Sequence, residues 1–205
     1  MTSIASVTLE VADPTAAAQF YQDAFGLDSS TLRLRAGETP TDGFRGFTLA
    51  LTVSQPADVD GFFASALAAG ATQLKPAAKS LWGYGGVLRA PDGTIWKIAT
   101  SSKKDSGPAT RTIDETVLLL GVEDVKASKQ FYVEQGLSTG KSFGGKYAEF
   151  KADDSSPVKL ALYKRRGLAK DLGVDAEGSG SHRIVLGSTG AAFTDPDGFA
   201  WEAAA

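Results

Sequence analysis

The 205-residue sequence predicts an α+β protein made of two tandem copies of one unit. Three observations carry that prediction. Leu9-Glu-Val11-Ala-Asp13-Pro14, Gln19-Phe20-Tyr21 and Gly26-Leu27 return later in the chain: Asp13/Asp124, Gln19/Gln130, Phe20/Phe131 and Tyr21/Tyr132 share an offset of 111, and Gly26/Gly136 and Leu27/Leu137 one of 110. A second block follows in the same order, Pro91-Asp92-Gly93 against Pro196-Asp197-Gly198, at an offset of 105 that persists to Trp96/Trp201. Within each copy the apolar residues switch between the alternation of a strand and the spacing of a helix. Ordered blocks with a small drift mark a duplication.

Ser6–Val11 and Glu115–Val122 are rich in β-branched and Leu residues and read as strands. Asp13 or Asp124 then offers a side-chain oxygen to the free N–H groups of a first helical turn, with Pro14 tolerated just after the cap. Ala17, Phe20, Tyr21 and Ala24 share one face of the first helix, and Ala127 and Phe131 one face of its counterpart. Gly26 and Gly136 stop both helices by taking left-handed backbone. The first copy continues with strands near Leu32–Ala36 and Gly46–Val53 and a second helix over Pro56–Ala69, ended by Gly70. A Pro-Asp-Gly turn then leads into the strand Thr94–Ala99. The second copy has strands near Lys146–Phe150, Val158–Tyr163 and His182–Leu186, and the same turn into Phe199–Ala203. It shows no amphipathic helix between His182 and that turn. Lys164–Ser181 is long, polar and Gly-rich and is expected to be a mobile loop with one helical turn at Leu168–Leu172. The expected division is a module at 1–100, a linker at 101–113 and a module at 114–205.

Composition excludes several classes of function. A net charge of -3 gives no broad positive field for a phosphate backbone, so nucleic acid is not expected as a partner. The longest apolar stretches, near Thr116–Val122 and Thr48–Val53, fall far short of the roughly 18–20 residues of a spanning helix. The first residues carry no Lys or Arg and no long apolar run, so no export signal is read and a cytoplasmic protein is expected. Without Cys there is no disulfide, thiolate nucleophile or Cys metal site. No G-x-S-x-G elbow or P-loop appears, and Gly83-Tyr-Gly-Gly86 lacks the strand–turn–helix setting of a dinucleotide fingerprint.

The capped helix carrying Phe-Tyr and ending Gly-Leu, with the closing Asp195-Pro-Asp-Gly198 turn and Trp201-Glu202, resembles the vicinal oxygen chelate superfamily. That superfamily includes glyoxalase I, bleomycin-resistance proteins, extradiol dioxygenases and methylmalonyl-CoA epimerase. The resemblance covers nearly the whole chain. It implies two βαβββ modules whose curved mixed sheets surround a cleft, where many members hold a divalent metal through His and Glu. Counting from the helix-capping Asp and from the turn carries those ligand positions onto Ser6, Val117, Lys97 and Glu202. Only Glu202 is a ligand type. A divalent ion needs three or four imidazole or carboxylate donors, and a Lys ammonium repels it. His182 matches a middle ligand of some members; read from the sequence it is a hydrogen-bonded strand-end histidine, a ligand contact or a metal ligand. No metal and no other cofactor is therefore expected.

A cleft stripped of donors but lined with aromatics suits a flat or apolar organic molecule. The candidate ligand-binding residues are Phe47, Trp82, Tyr84, Lys97, Tyr163, His182 and Glu202, with Phe44, Phe143 and Tyr147 as further aromatics. Trp82-Gly83-Tyr84 stands out because its glycines present rings rather than pack them. Lys97 would hold an anionic group or pair with a carboxylate. The expected function is a metal-free, glyoxalase/bleomycin-resistance-like protein that sequesters an aromatic or drug-like molecule, as a monomer or a homodimer. The alternative is a metal-dependent lyase, isomerase or dioxygenase using His182 and Glu202.

Overall fold

The computed structural model describes residues 2–153 and 156–204. Strand β1 (Ile4–Val11) turns Val7, Leu9 and Val11 into the main core and leaves Ser6, Thr8 and Glu10 on the other face. Asp13 Oδ1 accepts from the N–H groups of Thr15 and Ala16, which starts helix α1 (Pro14–Phe25), and Gly26 at φ 70 ends it. The first half continues with β2 (Arg33–Ala36), β3 (Thr41–Gly43), β4 (Phe47–Thr52), α2 (Pro56–Ala68), β5 (Thr72–Ser80), β6 (Gly83–Arg89) and β7 (Ile95–Thr100). The second half comprises β8 (Glu115–Val122), α3 (Val125–Glu134), β9 (Thr139–Phe143), β10 (Tyr147–Phe150), β11 (Lys159–Lys164), α4 (Arg165–Leu172), β12 (Gly178–Gly180), β13 (Ile184–Ser188), β14 (Phe193–Thr194) and β15 (Ala200–Ala203). Asp124 caps α3 as Asp13 caps α1.

Two expectations are corrected. In Lys164–Ser181 the expected helical turn at Leu168–Leu172 is the end of α4, but the rest is not a loop: α4 begins at Arg165 and buries Leu168, Ala169 and Leu172, Gly173 ends it at φ 77, and β12 pairs with β3. Its charged residues, of which Arg165 donates to Phe44 O and Asp171 pairs with Lys97, give a polar average that concealed three apolar residues on one face. The strand expected at His182–Leu186 begins at Ile184, because Arg183 has a φ of 52, which no strand accommodates. The sequence reading also passed over β5, whose lysines and Pro76 suit the edge position it occupies.

The chain forms a five-stranded sheet, β14-β15-β13-β1-β2, an eight-stranded sheet, β5-β6-β7-β4-β8-β11-β10-β9, and the β12-β3 pair. Both large sheets are assembled from the two halves: β1 pairs antiparallel with β13, and β4 antiparallel with β8. Within the larger sheet two βαβββ units, β4-α2-β5-β6-β7 and β8-α3-β9-β10-β11, lie back to back. The main core joins one face of each large sheet to α1, α2 and α3, with Tyr21, Phe25, Phe62 and Trp96 on one side and Tyr132, Phe150 and Trp201 on the other. A smaller core lies on the opposite face of the eight-stranded sheet, where Val87 and Ile95 meet Phe44 and the buried residues of α4. The linker is laid along α2: Asp105 Oδ1 accepts from Ala57 N–H at 2.7 Å, and Gln55 Oε1 accepts from the N–H groups of Ser106 and Gly107. Among the described residues no helix is long and apolar enough to cross a membrane.

Candidate functional site

Strand register brings the four carried-over positions together in pairs. In the five-stranded sheet Ser6 lies opposite Gly187, and Gly187 beside Glu202. In the eight-stranded sheet Ala50 stands between Val117 and Lys97. Alternation turns all of these away from the main core, onto the faces that would line the two clefts.

Each of the two faces carries cations held by carboxylates. Arg35 on β2 reaches across the first cleft face, donating to Glu202 Oε1 at 3.0 Å and to Glu10 Oε1 at 3.0 Å. The Glu202 bond, followed by the Glu10 bond, raises the guanidinium's pKa. On the second face, Lys97 Nζ donates to Asp171 of α4, and the neighbouring Lys159 Nζ to Glu115 at 3.1 Å. Among the described residues no three His, Asp or Glu side chains converge. Of the four carried-over positions, Lys97 carries an ammonium paired with Asp171, and Glu202 a carboxylate paired with Arg35.

His182 and Glu202 are not brought together. His182 sits two residues before β13 and Glu202 pairs with Gly187 near the far end of that strand, roughly 15 Å away along it. Both ring nitrogens of His182 face backbone carbonyls, Nδ1 at 2.6 Å from Arg45 O and Nε2 at 3.0 Å from Asp197 O, and the ring stacks on Phe199 at 3.9 Å. Neither nitrogen is turned toward a cleft carboxylate.

The aromatic candidates separate as well. Phe47 is 2% exposed and belongs to the main core. Tyr84 points to the helix side, where its hydroxyl donates to Asp60 on α2, a bond that raises its pKa. Tyr163 lies on the cleft face in a ladder with Tyr147 and Phe143 across β11, β10 and β9, each neighbouring pair 6.0 Å apart. Trp82, 84% exposed, stands at the tip of the β5–β6 hairpin.

Helix α4 crosses the cleft face from Tyr163 to Lys97, and Lys75 Nζ secures its far end by donating to the carbonyls of Lys170 and Asp171. Two depressions flank it. One, about 320 Å³, gathers Trp82, Lys97 and Asp171 over the small residues Ala78, Gly83, Gly85 and Ala99. The other, about 380 Å³, contains Phe44, Arg45 and Ile95. Of the candidate residues, Trp82, Tyr84 and Lys97 thus line one depression, with the Tyr84 hydroxyl turned to Asp60. The sequence reading missed Asp171, Arg35 and Arg45. The only prior signal was for Arg45, which precedes its strand by the same two residues as His182.

No family model and no curated protein sequence matches the chain. Among solved structures it is similar to glyoxalase I from Zea mays, with 16% identity over 98% of this chain and 91% of that one and a TM-score of 0.62. A point mutant of that enzyme gives 16% identity and a TM-score of 0.61 over 98% of this chain and 92% of its own. A putative dioxygenase from Bacillus subtilis matches 90% of this chain and 69% of its own at 11% identity and a TM-score of 0.55. These likenesses show the fold: the chain has the glyoxalase, or vicinal oxygen chelate, architecture.

Proposed function

We propose that this chain, built on the fold of glyoxalase I, binds a small flat organic molecule without a metal and sequesters it rather than transforming it. The carrying observation is Lys97, whose ammonium is held by Asp171 at the last-strand position where the fold family places a ligand. With Lys97 already paired, the depression beside it presents a floor of Gly83, Gly85 and Ala99, with Trp82 and Tyr84 in its lining and Lys75 and Lys79 at its side. Such a surface gains affinity by burying a planar apolar body against the indole. At about 320 Å³ it is sized for a molecule of two or three rings.

The test uses the chain's own fluorophore. Trp96 and Trp201 are 1% and 2% exposed, so a quencher in solution reaches Trp82 alone. Titration with quinoline and naphthalene derivatives is expected to quench the exposed component saturably, and Trp82→Phe to remove the effect. A divalent ion bound stoichiometrically to untagged protein and lost on Glu202→Ala would overturn the metal-free reading. The absence of saturable quenching across the series would overturn the assignment of this depression.

A further inference from the structure

The two Pro-Asp-Gly turns are braced in the same way. Arg45 stands two residues before β4 and His182 two residues before β13. Arg45 Nη2 donates to Asp92 O at 2.7 Å, and His182 Nε2 lies 3.0 Å from Asp197 O, the equivalent carbonyl of the other copy. Each side chain covers the turn glycine: a Cβ on Gly93 would come within 2.7 Å of Arg45 Nη2, and one on Gly198 within 3.4 Å of His182 Nε2. The duplication has kept one device and built it from two different side chains.

The copies then diverge. His182 is closed off by its second carbonyl and by Phe199. Arg45 is left open. Its other guanidinium N–H groups have no hydrogen-bond partner among the described residues, and no described carboxylate lies within ion-pair distance. Yet the side chain is half-buried, and that desolvation lowers its pKa, more than the nearby Asp92 carboxylate raises it. A guanidinium withdrawn from water without a paired counter-charge is costly, and a planar anion within reach of its free edge would relieve that cost through two parallel charge-assisted bonds.

Arg45 lines the depression of about 380 Å³ together with Phe44, Phe47 and Ile95. Thr41, in the same lining, has a buried hydroxyl with no partner. At the rim Asp42, Asp175 and Glu177 outnumber Arg89. We infer that this cavity is a second ligand site, which takes a small organic monocarboxylate: the carboxylate lies on Arg45 and the apolar body against Phe44 and Ile95. The acidic rim repels a second negative charge, so dianions are rejected. The site is distinct from the Trp82 depression, from which α4 and Val174 separate it.

Calorimetric titration with butyrate, benzoate and phenylacetate tests this, with benzyl alcohol as the neutral counterpart and phthalate as the dianion. At least one monocarboxylate is expected to bind saturably. Benzyl alcohol, phthalate and the Arg45→Ala protein are each expected to weaken binding by about tenfold or more, the worth of one charged hydrogen bond. Arg45→Lys is expected to be intermediate, and Trp82→Phe unchanged, which separates this site from the function proposed above. Should Arg45→Ala not fold, phenylglyoxal modification of the unaltered protein, mapped by mass spectrometry, is expected to slow at Arg45 with benzoate and not with benzyl alcohol. No monocarboxylate binding, equal binding to Arg45→Ala, or an unprotected Arg45 would overturn the inference.

Discussion

Tyr21 and Tyr132 occupy equivalent positions yet give their hydroxyls to different acids. Tyr132 donates to Asp195 at 2.6 Å and receives the Trp201 indole N–H at 3.3 Å. Tyr21 donates instead to Asp92 at 2.7 Å, because Ala90 stands where the other copy has Asp195. With Tyr132 served by Asp195, Asp197 is free to accept from Glu123 N–H and Ser128 Oγ, both at 2.8 Å. The change to Ala90 leaves the Pro91-Asp92-Gly93 turn in place, but the wiring behind it differs. Asp195 is the more deeply buried acceptor, and desolvation raises its pKa. Tyr132→Phe, which strands that carboxylate, is expected to cost about 1–3 kcal/mol in urea unfolding, and Tyr21→Phe less. A second prediction concerns Tyr147, pushed up to about 12 by burial first and then by Glu149. A phenol whose pKa is raised on folding contributes stability that is complete below its ordinary value near 10 and is lost as pH climbs toward about 12. Ultraviolet difference titration against Tyr147→Phe should find that midpoint, and Glu149→Gln should move it downward.

At the level of elements, α4 sets the shape of the binding surface. It converts one long cleft face into two depressions by seating Leu168, Ala169 and Leu172 on Val87 and Ile95. Leu172 is fully buried, so Leu172→Ala should cost about 2–4 kcal/mol and raise binding of an apolar dye as the floor beneath is uncovered. The Lys97–Asp171 pair that ties the helix down is partly exposed, at 31% and 45% of the side chains, and is worth no more than about 1 kcal/mol, less in high salt. Packing therefore holds α4 in place and the ion pair orients it. The capped helices α1 and α3 were legible in the sequence because Asp13 and Asp124 bond to N–H groups two and three residues on. Helix α4 was legible only in its last turn, Leu168–Leu172, because Lys164 makes no side-chain cap and the surface it packs on comes from distant strands.

For the whole molecule, the consequence of the duplication is interleaving. The β4–β8 ladder runs from Phe47 opposite Leu120 to Thr52 opposite Glu115, and β1 pairs with β13 from Ile4 to Leu9. Separated halves would each expose two such strand edges and half of a shared core. Residues 1–100 and 114–205 expressed singly are therefore expected to lack a cooperative thermal transition, and co-expression to restore one. A sharp transition in either half alone would show that its strands find partners within that half. By itself the sequence determined the duplication, the capped helices and the Pro-Asp-Gly turns, since all of these depend on residue identity and short spacings. Only the tertiary structure decided which half supplies each strand's partner, that Arg35 reaches Glu202 167 residues away and Lys97 reaches Asp171 74 residues away, and that Arg45 has no carboxylate within ion-pair distance among the described residues. The physical reason is that a charge finds its partner, or fails to, according to the strand faces it meets after folding, and no local pattern encodes that meeting.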